Sequence, residues 1–167
     1  LPNPCSVGAF IPYGAGCPKN ATVYESFATG SCDLANQSFL FLSTGSSYVA
    51  VTGGGFDTSY ANALTGVGDD TIHQNLALGF SFPYANQTLT TVDLSSNGFL
   101  WMGTNPSTDY SATVAEFLNL MPRIAPLRRD LTPNTGGTVY WDSNANFAMA
   151  TWVGVPTYGV AGSANNI

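Results

Sequence analysis

Charge is what this sequence has least of. Only 8 % of its residues are charged, against about 25 % in soluble globular domains. The cations are Lys19, Arg123, Arg128 and Arg129, and His73 is the single histidine. Four basic residues are too few to form the basic stripe that binds a nucleic acid or an anionic membrane surface. We therefore expect neither of these partners.

Long apolar runs are also missing. None approaches the ~18 residues of a membrane-spanning helix, so no membrane span is expected. Residues 1–4 lack the basic and apolar regions of a signal peptide; if the protein is exported, residue 1 is a mature N-terminus. Ser, Thr, Asn and Gly replace the missing charges, as is common on secreted and cell-surface β-proteins. We expect the chain to be secreted or at the cell surface.

Cysteine is scarce, and all three residues lie in the first fifth of the chain. There is no Cys-x-x-Cys pair to suggest a metal site. We predict a disulfide between Cys17 and Cys32, which closes a loop of about 15 residues and contributes on the order of 3 kcal/mol. Cys5 is then left for a bond to another chain, a bond to a segment outside this sequence, or a buried free thiol. The other pairings stay open.

What the sequence does contain is a β pattern along most of its length. Apolar or alternating runs flank short turns rich in Ser, Gly, Asn and Asp, which predicts hairpins. The paired runs are residues 39–42 with 48–52, and 137–141 with 147–153. Asn97-Gly98 is a strong turn signal before another run at 99–102.

One helix interrupts the strands. Thr113 and Glu116 have the spacing of a capping box, and apolar residues then recur at helical spacing until Pro122. We predict a short helix near residues 114–121. The fold class is therefore all-β, an antiparallel β-sandwich with one short helix, which strands outside this chain would complete.

A Gly-rich connection starting at Gly53 divides the chain. We expect an N-terminal β segment with the disulfide at residues 1–62, packed on a sandwich core at residues 63–167. Together they form one structural domain.

Five short motifs from about Asp69 onward occur in a familiar order. They are Leu78–Tyr84, Ser96–Leu100, Ile124–Leu127, Gly136–Trp141 and Ala150–Pro156. This order resembles the extracellular NIDO domain of nidogen-type proteins and related bacterial secreted proteins, over roughly residues 69–160. Two features depart from the family: Leu127-Arg128-Arg129 replaces its usual aromatic residues, and its strands continue past the last motif. The resemblance implies an extracellular interaction module with no chemistry of its own, and it carries over no catalytic residue.

The residues themselves offer little catalytic material. A Ser-His-Asp triad would have to use His73, and no Gly-x-Ser-x-Gly motif is present. Asp69 and Asp70 with Asp57 supply the oxygen ligands that Ca²⁺ prefers, but an exposed turn is the favoured interpretation. Asp142-Ser143-Asn144 is interpreted as a hairpin turn. We expect no enzyme, no cofactor and no metal.

Two further groups are candidate sites. Arg128 and Arg129 hold half the basic residues and are a candidate contact for a partner's anion; pairing with Asp130 or another local acid is favoured slightly. Three N-x-[ST] sequons, at Asn20, Asn36 and Asn86, are candidate glycosylation sites. Chance alone produces about three in a chain so rich in Asn, Ser and Thr.

The leading functional hypothesis is a non-catalytic extracellular structural or adhesive module, as a subunit of a cell-surface or extracellular polymer or filament. The alternative is a carbohydrate-binding module that stacks an extracellular glycan on exposed tyrosines. These tyrosines are Tyr13, Tyr24, Tyr60, Tyr84, Tyr110 and Tyr158. A secreted hydrolase comes third.

A sandwich that stops at Ile167 is expected to leave a sheet edge open. An open apolar edge invites strand addition from another chain, and low surface charge does little to prevent it. We therefore predict self-association, or completion by a missing C-terminal segment. The expected contacts are near residues 1–5 and 157–167.

Overall fold

The computed structural model describes residues 25–28, 31–44, 48–84, 87–105, 107–111 and 113–167. The chain divides into two compact units, residues 1–57 and 58–167. The elements in chain order are β1 (Phe39–Ser43), β2 (Tyr48–Thr52), β3 (Ile72–Tyr84), β4 (Gln87–Ser95), β5 (Phe99–Trp101), α1 (Val114–Asn119), β6 (Arg123–Ile124), β7 (Thr138–Ser143) and β8 (Ala148–Val153). A 3₁₀ turn at Pro133–Thr135 lies between β6 and β7. All strand pairs are antiparallel, so the predicted fold class is confirmed.

The first unit contains the β1–β2 hairpin. Its register runs from Phe39 opposite Thr52 to Ser43 opposite Tyr48, which confirms the hairpin predicted from the flanking apolar runs. Every residue of both strands is exposed.

The second unit contains a four-stranded sheet in the order β3-β4-β5-β6. From Leu76 to Tyr84, β3 turns alternate side chains inward, because successive residues of a strand point to opposite faces. Its pairing with β4 shifts register twice. Asn75 and Gly79 lie in these irregular stretches and have positive φ angles of 58° and 83°, so β3 is bent rather than regular.

The β7–β8 hairpin forms the second sheet of this unit and confirms the second predicted hairpin. It gains neighbours on both sides. On the β7 side, the Leu64 amide donates to the Val139 carbonyl at 2.9 Å. On the β8 side, Trp152 and Ile167 exchange two backbone hydrogen bonds, at 3.0 and 2.9 Å. The end of the chain therefore covers part of the β8 edge, and β8 lies between two neighbours.

The two sheets of the second unit share one core. Leu78, Val92 and Leu94 from the four-stranded sheet cluster with Trp141 and Trp152 from the other. The Trp141 Nε1 donates to the Ala77 carbonyl at 3.2 Å and so joins the sheets by a hydrogen bond. This is the face-to-face packing of a β-sandwich. The tryptophans are 0–9 % exposed, as expected for core residues.

Helix α1 begins where the capping box predicts. The Thr113 hydroxyl oxygen accepts a hydrogen bond from the Glu116 amide at 3.2 Å. The helix ends at Asn119, two residues before the predicted end, and none of its residues is buried. Val114 and Leu118 are 45 % and 60 % exposed, so the apolar spacing does not indicate a buried face. The described residues contain no helix long and apolar enough to cross a bilayer.

Candidate functional site

The loop that follows β8 forms one wall of an open groove in the second unit. Thr157 pairs with Leu131 through an isolated bridge, and the Tyr158 amide donates to the Asp130 carbonyl at 2.9 Å. Within the loop, the Ser163 hydroxyl accepts from the Thr157 amide and donates to the Val160 carbonyl, both at 2.8 Å. These bonds link the loop at residues 157–163 to Asp130 and Leu131 and connect its two ends.

The groove is shallow and open to solvent, with a volume of about 660 Å³. Tyr158 lines it and is 60 % exposed. Asn134 and Thr135 from the 3₁₀ turn face the same space, and Asp69 lies on its lining as well. We call this cavity the loop groove.

A group of three carboxylates includes Asp69. Ligand oxygens of Asp69, Asp70 and Asp130 all lie within 4.8 Å of one another. Burial, followed by repulsion from Asp70 and Asp69, raises the pKa of Asp130. Oxygen atoms of this kind suit Ca²⁺, and this is the group with suitable spacing among the described residues. The sequence suggests Asp57 as the third carboxylate, but Asp57 is not part of the group.

A second charged cluster fixes α1 to the rest of the unit. Arg128 Nη2 lies 2.7 Å from Asp109 Oδ2 and 3.3 Å from Glu116 Oε2, and Arg123 also pairs with Asp109. The Arg128 side chain is only 5 % exposed. The favoured interpretation, pairing with a local acid, describes Arg128 well, although its acids are Asp109 and Glu116 rather than Asp130. It is not available as the partner contact that the sequence also allows, whereas Arg129 is exposed.

Hydrogen bonds in this cluster stabilise the ionised form of Glu116. The Thr113 hydroxyl donates to its carboxylate at 2.6 Å and the Ser111 hydroxyl at 2.8 Å. These bonds, with a further contribution from Arg128, lower the pKa of Glu116 from 4.5 to about 2. The glutamate is thus a fixed structural charge.

His73 does not form a catalytic triad in the described structure. Its Nε2 is buried and has no hydrogen-bond partner among the described residues, so it contacts no Ser hydroxyl there. Burial lowers the pKa of His73. This placement is that of a packed strand residue opposite Leu94.

Several predicted site residues lie outside the described part of the chain: Cys5, Cys17, Asn20 and Asn86. Cys32 is exposed and has no disulfide among the described residues, so the bond to Cys17 stays a prediction. Asn36 is exposed and has a positive φ of 61°. Its glycosylation also stays a prediction.

The β1–β2 hairpin presents a second candidate surface, which we call the exposed hairpin. Phe39, Phe41 and Tyr48 share one face, and they are 42, 57 and 56 % exposed. The other face is aliphatic, and its large residues are 37–53 % exposed. They are Leu40, Leu42, Val49 and Val51.

Sequence reasoning misses most of the loop groove. Tyr158 is among the tyrosines that the sequence offers as stacking candidates, but Asn134 and Thr135 belong to no motif. The grouping of Asp130 with Asp69 and Asp70 joins residues about sixty positions apart. No local spacing carries such information, because the contact depends on how the sheets pack.

Comparison with known proteins gives one finding. A family model described as NIDO related matches residues 38–144. The match includes the exposed hairpin, which lies before the region where the motifs suggest the resemblance. It ends before the loop at residues 157–163. No curated protein and no solved structure matches significantly.

Proposed function

The chain belongs to the NIDO-related family, and from this premise we propose that it is a secreted, non-catalytic structural or adhesive module that assembles into a polymer. Domains of this family are generally extracellular and non-enzymatic. The observation that carries the proposal further is the exposed hairpin, since it offers a surface through which copies of the chain can associate.

In the part of the chain that the structure describes, the exposed hairpin lacks the usual protection against association. No charged residue and no proline lies between Asp33 and Asp57. Natural proteins protect exposed strands with lysine, proline or a covering segment. Within the described residues β1 and β2 pair only with each other. Such a hairpin is a surface that favours contact with another apolar surface.

The exposed area on each face is that of a small interface. An aromatic side chain has about 150–250 Å² of surface, so the seven large apolar side chains together expose on the order of 600 Å². Because these side chains are divided between two faces, each face presents roughly 300 Å², at the lower limit of the largest patches found on ordinary monomers, about 300–600 Å². Each contact is therefore smaller than the roughly 800 Å² per partner of a standard interface.

The occupant that we propose is the same hairpin of a second copy. An uncharged apolar face is complementary to itself, so two copies can pack with two-fold symmetry. The hairpin has two such faces, one aromatic and one aliphatic. If each face binds one copy, every molecule has two neighbours and the assembly continues as a filament.

Sedimentation velocity of the full chain tests this assembly. We expect the unmodified protein to sediment as species larger than a dimer at micromolar concentrations. Phe41→Lys blocks the aromatic face and Leu42→Lys the aliphatic face, so each variant is expected to stop at a dimer. The double variant is expected to be a monomer. Leu118→Lys, at a 60 % exposed position on α1, is the control and leaves assembly unchanged.

Three results would contradict the proposal. A wild-type monomer at all concentrations rules out self-association. Assembly that survives the double substitution places the contacts away from the hairpin. A monomer from either single variant rules out a two-faced polymer. Circular dichroism of each variant checks that the β structure is retained.

A further inference from the structure

We infer that the loop groove is a binding site for a neutral saccharide, with Tyr158 as the platform on which a sugar ring stacks. The inference is independent of self-association, because the loop groove and the exposed hairpin belong to different units of the chain.

The loop groove is formed before any ligand binds. The Thr132 amide donates to the Pro156 carbonyl at 2.9 Å, which fixes the start of the loop against the residues just before the 3₁₀ turn. Asn165 Nδ2 donates to Thr157 Oγ1 at 3.1 Å and to the Val155 carbonyl at 2.8 Å. A ligand therefore meets a wall that is already ordered, which reduces the entropy lost on binding.

The chemistry of the lining selects against anions. Among the described residues, no Lys, Arg or His lines the loop groove, and Asp69 contributes a carboxylate. The neighbouring carboxylates of Asp70 and Asp130 add further negative potential. A phosphate, sulfate or carboxylate ligand would meet repulsion without a compensating cation from this lining.

A neutral sugar matches the uncharged side chains of the lining. The ring of Tyr158 is an exposed apolar surface on which the C–H face of a pyranose can lie. Asn134 supplies an amide that both donates and accepts. The Thr135 hydroxyl donates to the Thr132 carbonyl at 2.9 Å, so it can accept a hydrogen bond from a sugar hydroxyl. The Asp69 carboxylate can accept charge-assisted hydrogen bonds from sugar hydroxyls. Apolar contact on one side and mixed hydrogen bonding on the other suit a polyhydroxylated ring.

Binding of the full chain to an array of neutral oligosaccharides, followed by calorimetric titration of the strongest binder, tests the site. The array contains hexose and N-acetylhexosamine oligomers, together with sulfated, carboxylated and amine-bearing sugars as charged probes. We expect binding to one class of neutral sugar. Tyr158→Ala should weaken it at least tenfold, and Tyr158→Phe should retain it within about threefold because the stacking ring stays.

The matched control is Tyr110→Ala, since Tyr110 is 57 % exposed but does not line the loop groove. It should leave the affinity unchanged, and Asn134→Ala should weaken binding severalfold. Repeating the titration with the Phe41→Lys, Leu42→Lys double variant removes any gain from multivalency in an assembly.

Four results would overturn the inference. One is the absence of neutral-sugar binding at millimolar concentration. The second is binding of only the amine-bearing or only the acidic probes, which would indicate an ion site. The third is a sugar affinity that Tyr158→Ala leaves intact. The fourth is an affinity that Tyr110→Ala reduces as much as Tyr158→Ala.

Discussion

At the scale of single residues, a buried carboxylate holds the start of the second unit in place. Asp142 is 6 % exposed and accepts hydrogen bonds from the Ala61 amide at 3.1 Å and the Asn62 amide at 3.0 Å. The Asn62 side chain donates to it as well, at 2.5 Å. The sequence indicates only a hairpin turn here. Its partners are about eighty positions away, and no local pattern reveals them.

Asp142→Asn is expected to destabilise the protein by about 2 kcal/mol. The substitution keeps the size of the side chain, but it removes the charge and replaces one acceptor oxygen with an amide NH₂ group that faces other donors, so charge-assisted hydrogen bonds from residues 61 and 62 are lost. Urea denaturation of the full chain measures the loss. Asp33→Asn, at an exposed carboxylate, is the control and should change the free energy of unfolding by less than about 0.5 kcal/mol. Equal effects of the two substitutions would contradict the assigned role.

At the scale of elements, the β4–β5 turn depends on Gly98 and on Asn97, for different reasons. Gly98 has a positive φ of 78°, and a Cβ at this position would collide with the Leu127 carbonyl oxygen. The turn also places Asn97, whose Oδ1 accepts from the Leu131 amide at 2.8 Å and whose Nδ2 donates to Asp70 at 2.8 Å. The Asn-Gly pair predicts the turn, but not its role in joining three separate loops.

Gly98→Ala should therefore lower the free energy of unfolding by more than the strain of a left-handed backbone alone. Gly159 has a similar φ of 66°, and a methyl group on its Cα would meet nothing within 4 Å. Gly159→Ala therefore measures the left-handed strain by itself, about 1 kcal/mol. We expect about 3 kcal/mol for Gly98→Ala, because the turn must also shift away from Leu127. Thermal unfolding compares the two variants. Equal losses would mean that the close approach has no energetic consequence.

Elements with a local signal are predicted well, and elements defined by distant contacts are not. Alternation and turn residues indicate both hairpins, and the capping box indicates where α1 begins. Nothing local indicates β6, which is two residues long and exists because Leu100 and Trp101 pair with it. The pairing of Ile167 with Trp152 is likewise a contact across a loop.

At the scale of the whole molecule, three titratable groups of the second unit make its stability depend on pH. Burial lowers the pKa of His73. As the pH falls, the imidazole is therefore protonated more readily in the unfolded chain than in the folded one, and the free energy of unfolding decreases below about pH 6.5. Glu116 has its pKa lowered to about 2, so stability falls again between pH 4.5 and 2. Asp130 acts in the opposite sense, because its pKa is raised in the folded state.

We therefore expect the midpoint temperature of thermal unfolding to decrease from pH 7 to pH 3. Two variants separate the contributions of Glu116 and Asp130. Glu116→Gln should lower the midpoint at pH 7, and its difference from the wild type should shrink steadily as the pH falls from 4.5 toward 2, where the wild-type carboxylate also becomes neutral.

Asp130→Asn should raise the midpoint at pH 7, because it removes one of three adjacent like charges, and this gain should disappear below the ordinary Asp pKa of 3.8. Calorimetry at pH 7, 5, 4 and 3 measures both series. If the effect of Glu116→Gln were independent of pH, the hydrogen bonds from Thr113 and Ser111 would not favour the charged form, and the assigned cause of the acid sensitivity would be wrong.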